Sequence, residues 1–443
     1  MAEINKAMRG TADILPSESG KWRFVEDKMI DTAALFGFKE IRVPTIEYTE
    51  VFVKSVGDTT DVVQKEMYTF EDKGGRSITL RPELTAGTIR ACIEHGLING
   101  PLPVKVCYTG PCFRYEKPQA GRYREFHQFG VECIGASSPS ADAEVILLAN
   151  SLLNNVGVKE LSLEINSIGC PECRKKYHQA LKEYFESRKE NLCGTCLDRL
   201  ERNPMRILDC KNPECKEIAA AAPVMLDYLC EDCAAHFEGV KKHLDAVGVN
   251  YKINPKIVRG LDYYTRTVFE FVSGSIGAQS TVCGGGRYDG LIAQMGGQNT
   301  PSLGFAIGIE RLLLVLEAQN AEFRAEKGCD VYIAPIGEAA ALEATKLCTD
   351  LRREGFCALT DLTGRGLKAQ MKYADKCGAA YSVVIGDDEI RSGSCVIKDM
   401  TTGETKTVNI PEGLVAAVYD AEISKALEKT EAAADELEAK FKG

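Results

Sequence analysis

Between residues 18 and 36, apolar side chains recur near helical spacing at Trp22, Val25, Met29, Ala33 and Phe36, and Gly37 follows where a helix would stop. The next stretch, 38–52 (FKEIRVPTIEYTEVF), is rich in β-branched and aromatic residues and reads as a strand. Pro44 within it implies an edge position or an irregular pairing. Further strands are predicted at SITLRP (77–82), VKVCYTG (104–110), REFHQFGVECIG (124–135) and TVFEFVSG (267–274), and helices over 84–95, 141–155, 172–189 and 307–319. Strands follow one another without regularly alternating helices, which predicts an α+β fold built on an antiparallel sheet.

The pattern changes twice. From residue 170 cysteines cluster and the periodicity becomes helical; after about residue 320 a buried strand (DVYIAPI), a helix over 339–354 and a strand running into an acidic turn (YSVVIGDDEI) suggest a compact α/β domain with its own core. Residues 412–442 are alanine-rich with interleaved Glu and Lys, a helix composition. Their apolar positions (Leu414, Val418, Ile423, Leu427, Leu437) are only loosely periodic.

Composition narrows the class. A chain of 443 residues suggests two or three domains. With 44% apolar and 27% charged residues it has the make-up of a folded, water-soluble protein rather than a disordered one. No stretch reaches the roughly 20 apolar residues of a membrane span, and the N-terminal stretch lacks the apolar run of a secretory leader. A cytoplasmic protein with no membrane partner is expected. The 18 cysteines are then thiols or metal ligands rather than disulfides. A net charge of −10 argues against coating nucleic acid by charge alone, so DNA is not an expected partner, whereas local basic patches remain available to a specific one.

The most informative segment is CFRYEKPQAGRYREFHQFGVECIG (112–135). It reads as strand, turn, strand, with Gln128 and Glu132 on one face of the second strand and Arg114 and Glu116 sharing a face on the first. Such a polar face is either exposed and salt-bridged or satisfied by a polar ligand.

FRYE, a loop and REFHQFGVE together resemble motif 2 of class II aminoacyl-tRNA synthetases in its histidyl form. VRGLDYYTRTVFEF (258–271) and GGGRYDGL (284–291) resemble the two signatures of the histidyl-tRNA synthetase family, and SLGFAIGIERLLL (302–314) resembles motif 3. RGTADILPSES (9–19) and TLRPELTAG (79–87) match the opening segment and the amino-acid loop, so the likeness runs in order from residue 9 to 314 and continues after 329. It implies a bacterial-type enzyme: a class II antiparallel-sheet catalytic domain over 1–325 with a cysteine-rich helical insertion at 170–245, an α/β anticodon-binding domain at 329–411 and a helical tail at 412–443. It further implies a homodimer joined through the region around Pro44.

The reaction implied joins histidine to ATP as an adenylate and then to tRNA(His), with Mg2+ bridging the outer phosphates. Two anions must meet, so fixed arginines are the natural tool. By resemblance, Arg114 and Arg259 flank the α-phosphate as the catalytic cations. Arg311 lies at the γ-phosphate, Glu116 near the adenine amino group, and Phe126 against the adenine ring. Out of the motif, Arg311 reads as a solvated side chain at a helix start and Arg259 as a loop arginine. Glu83, Leu84, Thr85 and Gln128 belong by resemblance to the α-amino site of L-histidine, and Glu132, Tyr263 and Tyr264 to the imidazole pocket, where Arg114 and Arg259 also meet the substrate. Adjacent tyrosines commonly divide between core and surface; the motif places both in the pocket. Gly284–Gly286 allow close backbone approach, and Arg287 and Asp289 are expected to brace the site.

The tRNA acceptor end would meet the loop carrying Lys117, Gln119, Arg122 and Arg124. Arg365, Lys368 and Lys372, at helical spacing after Gly364, would form one basic face, either solvated or in contact with RNA. In the insertion, Cys170, Cys173, Cys193, Cys196, Cys210, Cys215, Cys230 and Cys233 come as four close pairs, which suit one or two structural Zn2+ sites or a set of packed reduced thiols. His178 and His236 are substitute ligands. Two other readings stand beside the enzyme. A regulatory paralogue would be expected to lack the C-terminal domain and the RGLDYYT residues, and an RNA-binding module on the same scaffold would not need Glu83, Gln128, Glu132, Arg259 and Tyr264 together.

Overall fold

In the computed structural model, residues 5–57, 60, 62–208, 210, 212–257, 263–275, 281–321, 323 and 328–442 are described, with only the backbone given for part of 425–442. The chain divides into two units, residues 1–324 and 325–443.

The first unit opens with α1 (Pro16–Leu35), which buries Val25, Met29, Thr32 and Ala33 along one stripe. Gly37, at φ +79°, takes the left-handed turn that ends it. The stretch 38–52 is not a single strand. It splits into β1 (Lys39–Glu40) and β2 (Ile46–Tyr48) around Pro44, and residues from Thr49 enter α2 (Thr49–Val56). Proline removes a ladder donor and biases the residue before it away from a regular continuation, so the strand breaks there. Next come β3 (Tyr68–Glu71), β4 (Ser77–Leu80), α3 (Thr85–Glu94), β5 (Val104–Phe113), β6 (Glu125–Ile134), α4 (Pro139–Asn155) and β7 (Leu161–Ser167). The insertion holds α5 (Pro171–Glu186), α6 (Gly194–Arg202), α7 (Pro213–Ala220) and α8 (Glu231–Ala246). The unit closes with β8 (Lys252–Ile253), β9 (Thr265–Ser273), β10 (Thr281–Arg287), α9 (Leu291–Gln294), β11 (Ser302–Gly308) and α10 (Ile309–Ala318).

Eight of these strands form one sheet in the order β1-β5-β6-β11-β10-β9-β7-β8, while β2, β4 and β3 form a small separate sheet. The large sheet is antiparallel except at its two rims, where β1 pairs with β5 and β8 with β7 in parallel. Its strands sort their side chains with period two. Phe129, Val131 and Cys133 of β6 and Leu303, Phe305 and Ile307 of β11 point into a core shared with α1, α4 and α10. The alternate positions, Gln128, Gly130 and Glu132 with Gly304, Ala306 and Gly308, form the other face. Insertion helix α8 adds Phe237, Val240 and Leu244 to the core beneath the sheet. Its Gly239 lets the start of α4 approach, since a Cβ there would lie 2.7 Å from Pro139 Cγ.

The second unit has β12 (Val331–Pro335), α11 (Glu338–Arg353), β13 (Ala358–Thr360), α12 (Leu367–Lys376), β14 (Tyr381–Ile385), α13 (Asp387–Ser392), β15 (Ser394–Asp399), β16 (Thr405–Asn409) and α14 (Glu412–Lys442). The acidic stretch after β14, expected as a turn, is the short helix α13; acidic side chains suit the first turn of a helix. The sheet runs β13-β12-β14-β15-β16, parallel among its first three strands and antiparallel beyond. Leu414, Ala417 and Val418 of α14 sit in its core beside Val408 and Ile397, so the first turns of 412–443 belong to the packed unit. Leu414 is fully buried; Leu414→Ala is expected to destabilise this unit by about 2–5 kcal/mol, read as a lowered urea midpoint for the unfolding of this unit.

Candidate active site

A cavity of about 310 Å³ opens on the polar face of the large sheet. At its floor lies the Glu132 carboxyl group, 1% exposed. Tyr108 Oη donates to Glu132 Oε1 at 2.7 Å, and Tyr288 Oη donates to Oε2. Tyr108 pairs in register with Gly130, and any Cβ at Gly130 would sit 2.5 Å from its ring. The tyrosine therefore crosses β6 only because that residue is glycine. Gly304, opposite Glu132 on β11, clears the other side, where a Cβ would lie 2.2 Å from Glu132 Oε2. Burial, opposed by hydrogen bonds from Tyr108 and Tyr288, pushes the Glu132 carboxyl pKa up to about 8.

Tyr263 and Tyr264 wall the same end, both 6% exposed, so the pair is not divided between core and surface. Their rings pack at 4.7 Å, and Tyr263 meets Tyr288 edge-on at 5.3 Å. Glu83 takes the backbone N–H groups of Thr85 (2.6 Å) and Ala86 (3.0 Å), so its carboxylate caps the start of α3. Burial nonetheless raises its pKa, against those N–H bonds. Thr85 and Gln128 line the cavity with it. Leu84 does not: its side chain is buried against Tyr108 and Cys112.

The opposite end carries cations. Arg114 follows β5 rather than lying within it; its Nε donates to the Pro82 carbonyl at 2.8 Å, and its guanidinium lies 5.3 Å from the centre of the Phe126 ring. Arg122 pairs with Glu116 at 3.1 Å. Arg311 donates Nη1 to the Thr281 carbonyl at 2.8 Å. Burial, and then the positive charges of Arg122 and Arg114, lower the Arg311 pKa, against the carboxylates of Glu116 and Glu270. Three guanidinium groups whose charges oppose one another in a cleft suit a polyanion. Arg259 and the rest of 258–262 lie outside the described residues. Gln119 is exposed at the turn between Lys117 and Arg122, away from the cavity lining.

A sequence profile of the histidyl-tRNA synthetase family matches residues 10–312, and one of an anticodon-binding domain matches 330–417. The chain belongs to the histidyl-tRNA synthetase family. It is 56% identical over 407 residues to the histidine–tRNA ligase of Acetivibrio thermocellus, covering 92% of this chain and 98% of that one. It is 53% identical over 404 residues to the ligase of Desulforamulus reducens, covering 91% and 96%. The apo crystal structure of the Staphylococcus aureus histidyl-tRNA synthetase superposes with a TM-score of 0.81 at 42% identity, covering 94% of this chain and all of that one.

Within this family member, the eight insertion cysteines make two nested groups. Cys170, Cys173, Cys230 and Cys233 form the outer one, Cys193, Cys196, Cys210 and Cys215 the inner, and within each group the sulfurs lie within 4.8 Å of one another. Tetrahedral zinc with bonds of about 2.3 Å holds sulfurs about 3.8 Å apart. Cys170 and Cys173 stand at 3.5 Å and Cys193 and Cys210 at 3.9 Å, far beyond disulfide contact. Backbone N–H groups of Cys230 and Cys193 donate to Cys173 Sγ (3.1 Å) and Cys215 Sγ (3.2 Å). Neither group includes His178 or His236; His236 points instead at Asp142, Nε2 to Oδ2 at 3.2 Å.

In the second unit, Lys368 and Lys372 are exposed one turn apart on α12. Arg365 is not part of that face. It precedes the helix, pairs with Asp361 at 3.0 Å and lies over the Tyr373 ring at 4.5 Å, because Gly364 at φ +70° turns the chain before the helix begins.

Sequence reasoning missed Tyr123, Tyr288 and Glu310, which line the cavity, and Tyr108, which supports Glu132 from beneath it. Tyr288 sat inside a recognised motif, GGGRYDGL. Tyr108 gave no local signal beyond its alternation in β5. Glu310 accepts the His127 backbone N–H at 2.8 Å and its ring Nδ1 lies at 3.0 Å, pinning α10 to β6, a contact between residues 183 positions apart.

The Glu132 carboxyl group sets a pH dependence. Folded, it keeps its proton up to about pH 8; its ordinary value is 4.5. Between those values the folded chain binds the extra proton, so stability is greatest at the acid end of the window and falls as pH rises, on the order of 1 kcal/mol per unit. Glu132→Gln is expected to flatten the decline of Tm between pH 5 and 8, measured by differential scanning fluorimetry without ligands.

Proposed function

We propose that this chain is a histidine–tRNA ligase that forms histidyl-adenylate and pyrophosphate from L-histidine and ATP, then passes histidine to the 3′ end of tRNA(His), with release of AMP. The observation that carries this reading is a single cavity with a buried carboxyl and tyrosine floor at one end and an arginine cluster at the other. A histidine carboxylate oxygen bonds to the α-phosphorus as the bond from that phosphorus to the pyrophosphate oxygen breaks. Positioning and charge stabilisation do the catalytic work.

We assign Arg114, and Arg259 five positions before Tyr264, to the meeting of carboxylate and α-phosphate. Arg311 is assigned to the γ-phosphate of ATP, which enters as its magnesium complex, with Glu116 and Phe126 at the adenine. Glu132, Tyr263 and Tyr264 form the imidazole pocket; Glu83, Thr85 and Gln128 receive the α-amino group. Leu84 reaches this site only through its place between Glu83 and Thr85. Polar pocket groups left unpaired by an apolar analogue give the selectivity.

We further assign residues 1–325, with the insertion 170–245, to catalysis, and 329–411 with the following helix to anticodon binding, with Lys368 and Lys372 on the RNA side and Gln119 and Arg122 at the acceptor end. Two copies would meet around Pro44, where Ile46 and Tyr48 are 48% and 53% exposed, and the enzyme would work in the cytoplasm. Among the described residues, no helix is long and apolar enough to cross a membrane. The two cysteine groups are read as zinc sites, on their sulfur spacing and all-thiol donor set. The presence of both the second unit and the paired tyrosines favours the ligase over a regulatory paralogue.

Histidine-dependent ATP–pyrophosphate exchange is the direct test; its absence in pure, folded protein would sink the assignment. Arg114→Ala is expected to lower kcat in that assay by about 100- to 1000-fold, the usual effect of removing one stabilising donor. For Lys368→Ala, the slope of log affinity for tRNA against log salt is expected to shrink by about one unit, with exchange unchanged; an unaltered slope places the RNA elsewhere.

A further inference from the structure

The two cysteine groups stand differently toward the histidine end of the cavity. The outer one ties together the N-terminal turns of α5 and α8, through Cys170 and Cys173 on one side and Cys230 and Cys233 on the other. From each helix a short path leads to the pocket. On α5, Arg174 follows Cys173 directly and donates Nη1 to the Tyr264 carbonyl at 3.1 Å. On α8, His236 lies one turn after Cys233 and 3.2 Å from Asp142. Asp142 grips the fully buried Arg287, whose neighbour Tyr288 donates to Glu132.

A third tie runs through the backbone. Arg266 N donates to the Gly169 carbonyl at 2.9 Å, and Ile168 N donates to the Arg266 carbonyl at 2.7 Å, immediately before Cys170. Arg266 holds φ +51°, a left-handed conformation disfavoured for a non-glycine residue, which persists only where surrounding contacts impose it. Gly169 cannot be replaced at this junction without a clash, since a Cβ would sit 2.5 Å from Met225 Cε and 2.6 Å from Cys173 Cβ. Cysteines of both groups share one apolar cluster with Tyr263, Tyr264 and Tyr288, so the two groups differ in their hydrogen bonds and ion pairs rather than in apolar packing. The inner group, by contrast, lies between α6 and α7, and the ion pair Lys182–Glu201, at 3.5 Å, joins its α6 to α5 rather than to the sheet.

We propose that a zinc ion in the outer group, Cys170, Cys173, Cys230 and Cys233, is a positioning element of the histidine pocket, and that the inner group serves only the fold of the insertion. Four metal–sulfur bonds fix the spacing of the α5 and α8 starts, which weak thiol contacts alone do not. That spacing sets where Arg174 holds Tyr264, and where the His236–Asp142–Arg287 chain holds Tyr288 against Glu132. Arg174 and His236 are positioning residues, acting on the pocket through its tyrosines. This rests on the ligase reading for the identity of the pocket's ligand.

The test compares full-length wild type with Cys173→Ser, Cys196→Ser and Arg174→Ala. Zinc per chain is measured by mass spectrometry, histidine affinity by calorimetry, and both substrate KM values by pyrophosphate exchange. Two zinc ions per chain are expected in wild type and Arg174→Ala, and one in each cysteine variant. Cys173→Ser and Arg174→Ala should raise the histidine KM and Kd about tenfold with the ATP KM held within about twofold, the range seen when a support outside the ligand shell is lost. Cys196→Ser should lower Tm and leave both KM values alone. Arg174→Ala carries the test if Cys173→Ser does not fold. A wild-type histidine KM in Arg174→Ala, an equal rise for both substrates, or wild-type protein that is active without zinc in the outer group overturns the proposal and leaves the ligase reading standing. Wild-type protein that carries zinc but neither binds histidine nor supports exchange overturns the ligase reading as well.

Discussion

A carboxyl group sealed in the middle of a β-sheet can persist only if its oxygens find donors and its neighbours leave room. Glu132 meets both conditions through residues on four different strands or strand ends. Tyr108 comes from β5 over Gly130, Tyr288 from just past β10, and space comes from Gly304 of β11. The glycines are required by close approach, since each is the register partner of the group that crosses it. Remove the space and the tyrosine or the carboxylate must shift; remove the tyrosines and a buried polar group is left unsatisfied. The floor of the cavity is therefore a fixed polar surface, prepared before any ligand arrives.

The part of this arrangement that follows a local period was legible in the sequence. Alternation along β6 assigned Gln128 and Glu132 to one face, and the helical stripe of α1 was readable from Val25 to Ala33. What depended on pairing between distant residues was not. Tyr108 reaches Glu132 across 24 positions and Glu310 reaches His127 across 183, and no local pattern marks either. Local exceptions defeated the reading elsewhere. Pro44 broke a β-rich stretch into two short strands and a helix start. Gly364 placed Arg365 before the helix whose spacing it shared, leaving it to Asp361 and Tyr373. The cysteine pairs announced metal-like spacing, but only the fold shows that the first pair joins the last and the middle two join each other.

The two ends of the cavity use opposite electrostatics within one small volume. At the arginine end, burial and the charges of Arg122 and Arg114 lower the Arg311 pKa while the guanidinium stays charged. At the carboxyl end, burial drives Glu132 toward keeping its proton. Arg311 stays charged, since a guanidinium keeps its proton in a protein, while Glu132 is held neutral, and a ligand with an anionic end and a polar end answers both. The crowded positive charge at the arginine end thus becomes binding energy for an anion, the neutral carboxyl end offers hydrogen bonds, and the ligand's orientation is set by which end answers which need.

The same logic explains why the insertion is more than an appendage. Its apolar core is continuous with Tyr263, Tyr264 and Tyr288, so the tyrosine wall lines the cavity and also belongs to the apolar cluster of the insertion. A pocket that selects by hydrogen bonds needs its donors fixed to within a fraction of an ångström, and side chains are fixed only as well as what stands behind them. Behind Tyr288 stands Arg287, fully buried and held by Asp142, Asp289 and the Ala136 carbonyl. Buried ion groups of this kind contribute little net stability, but removing one partner strands a charge, so the assembly tolerates few alternative arrangements. Rigidity of the pocket wall therefore comes from the ionic network and the helices it anchors, and the helices inherit it from whatever fixes their first turns.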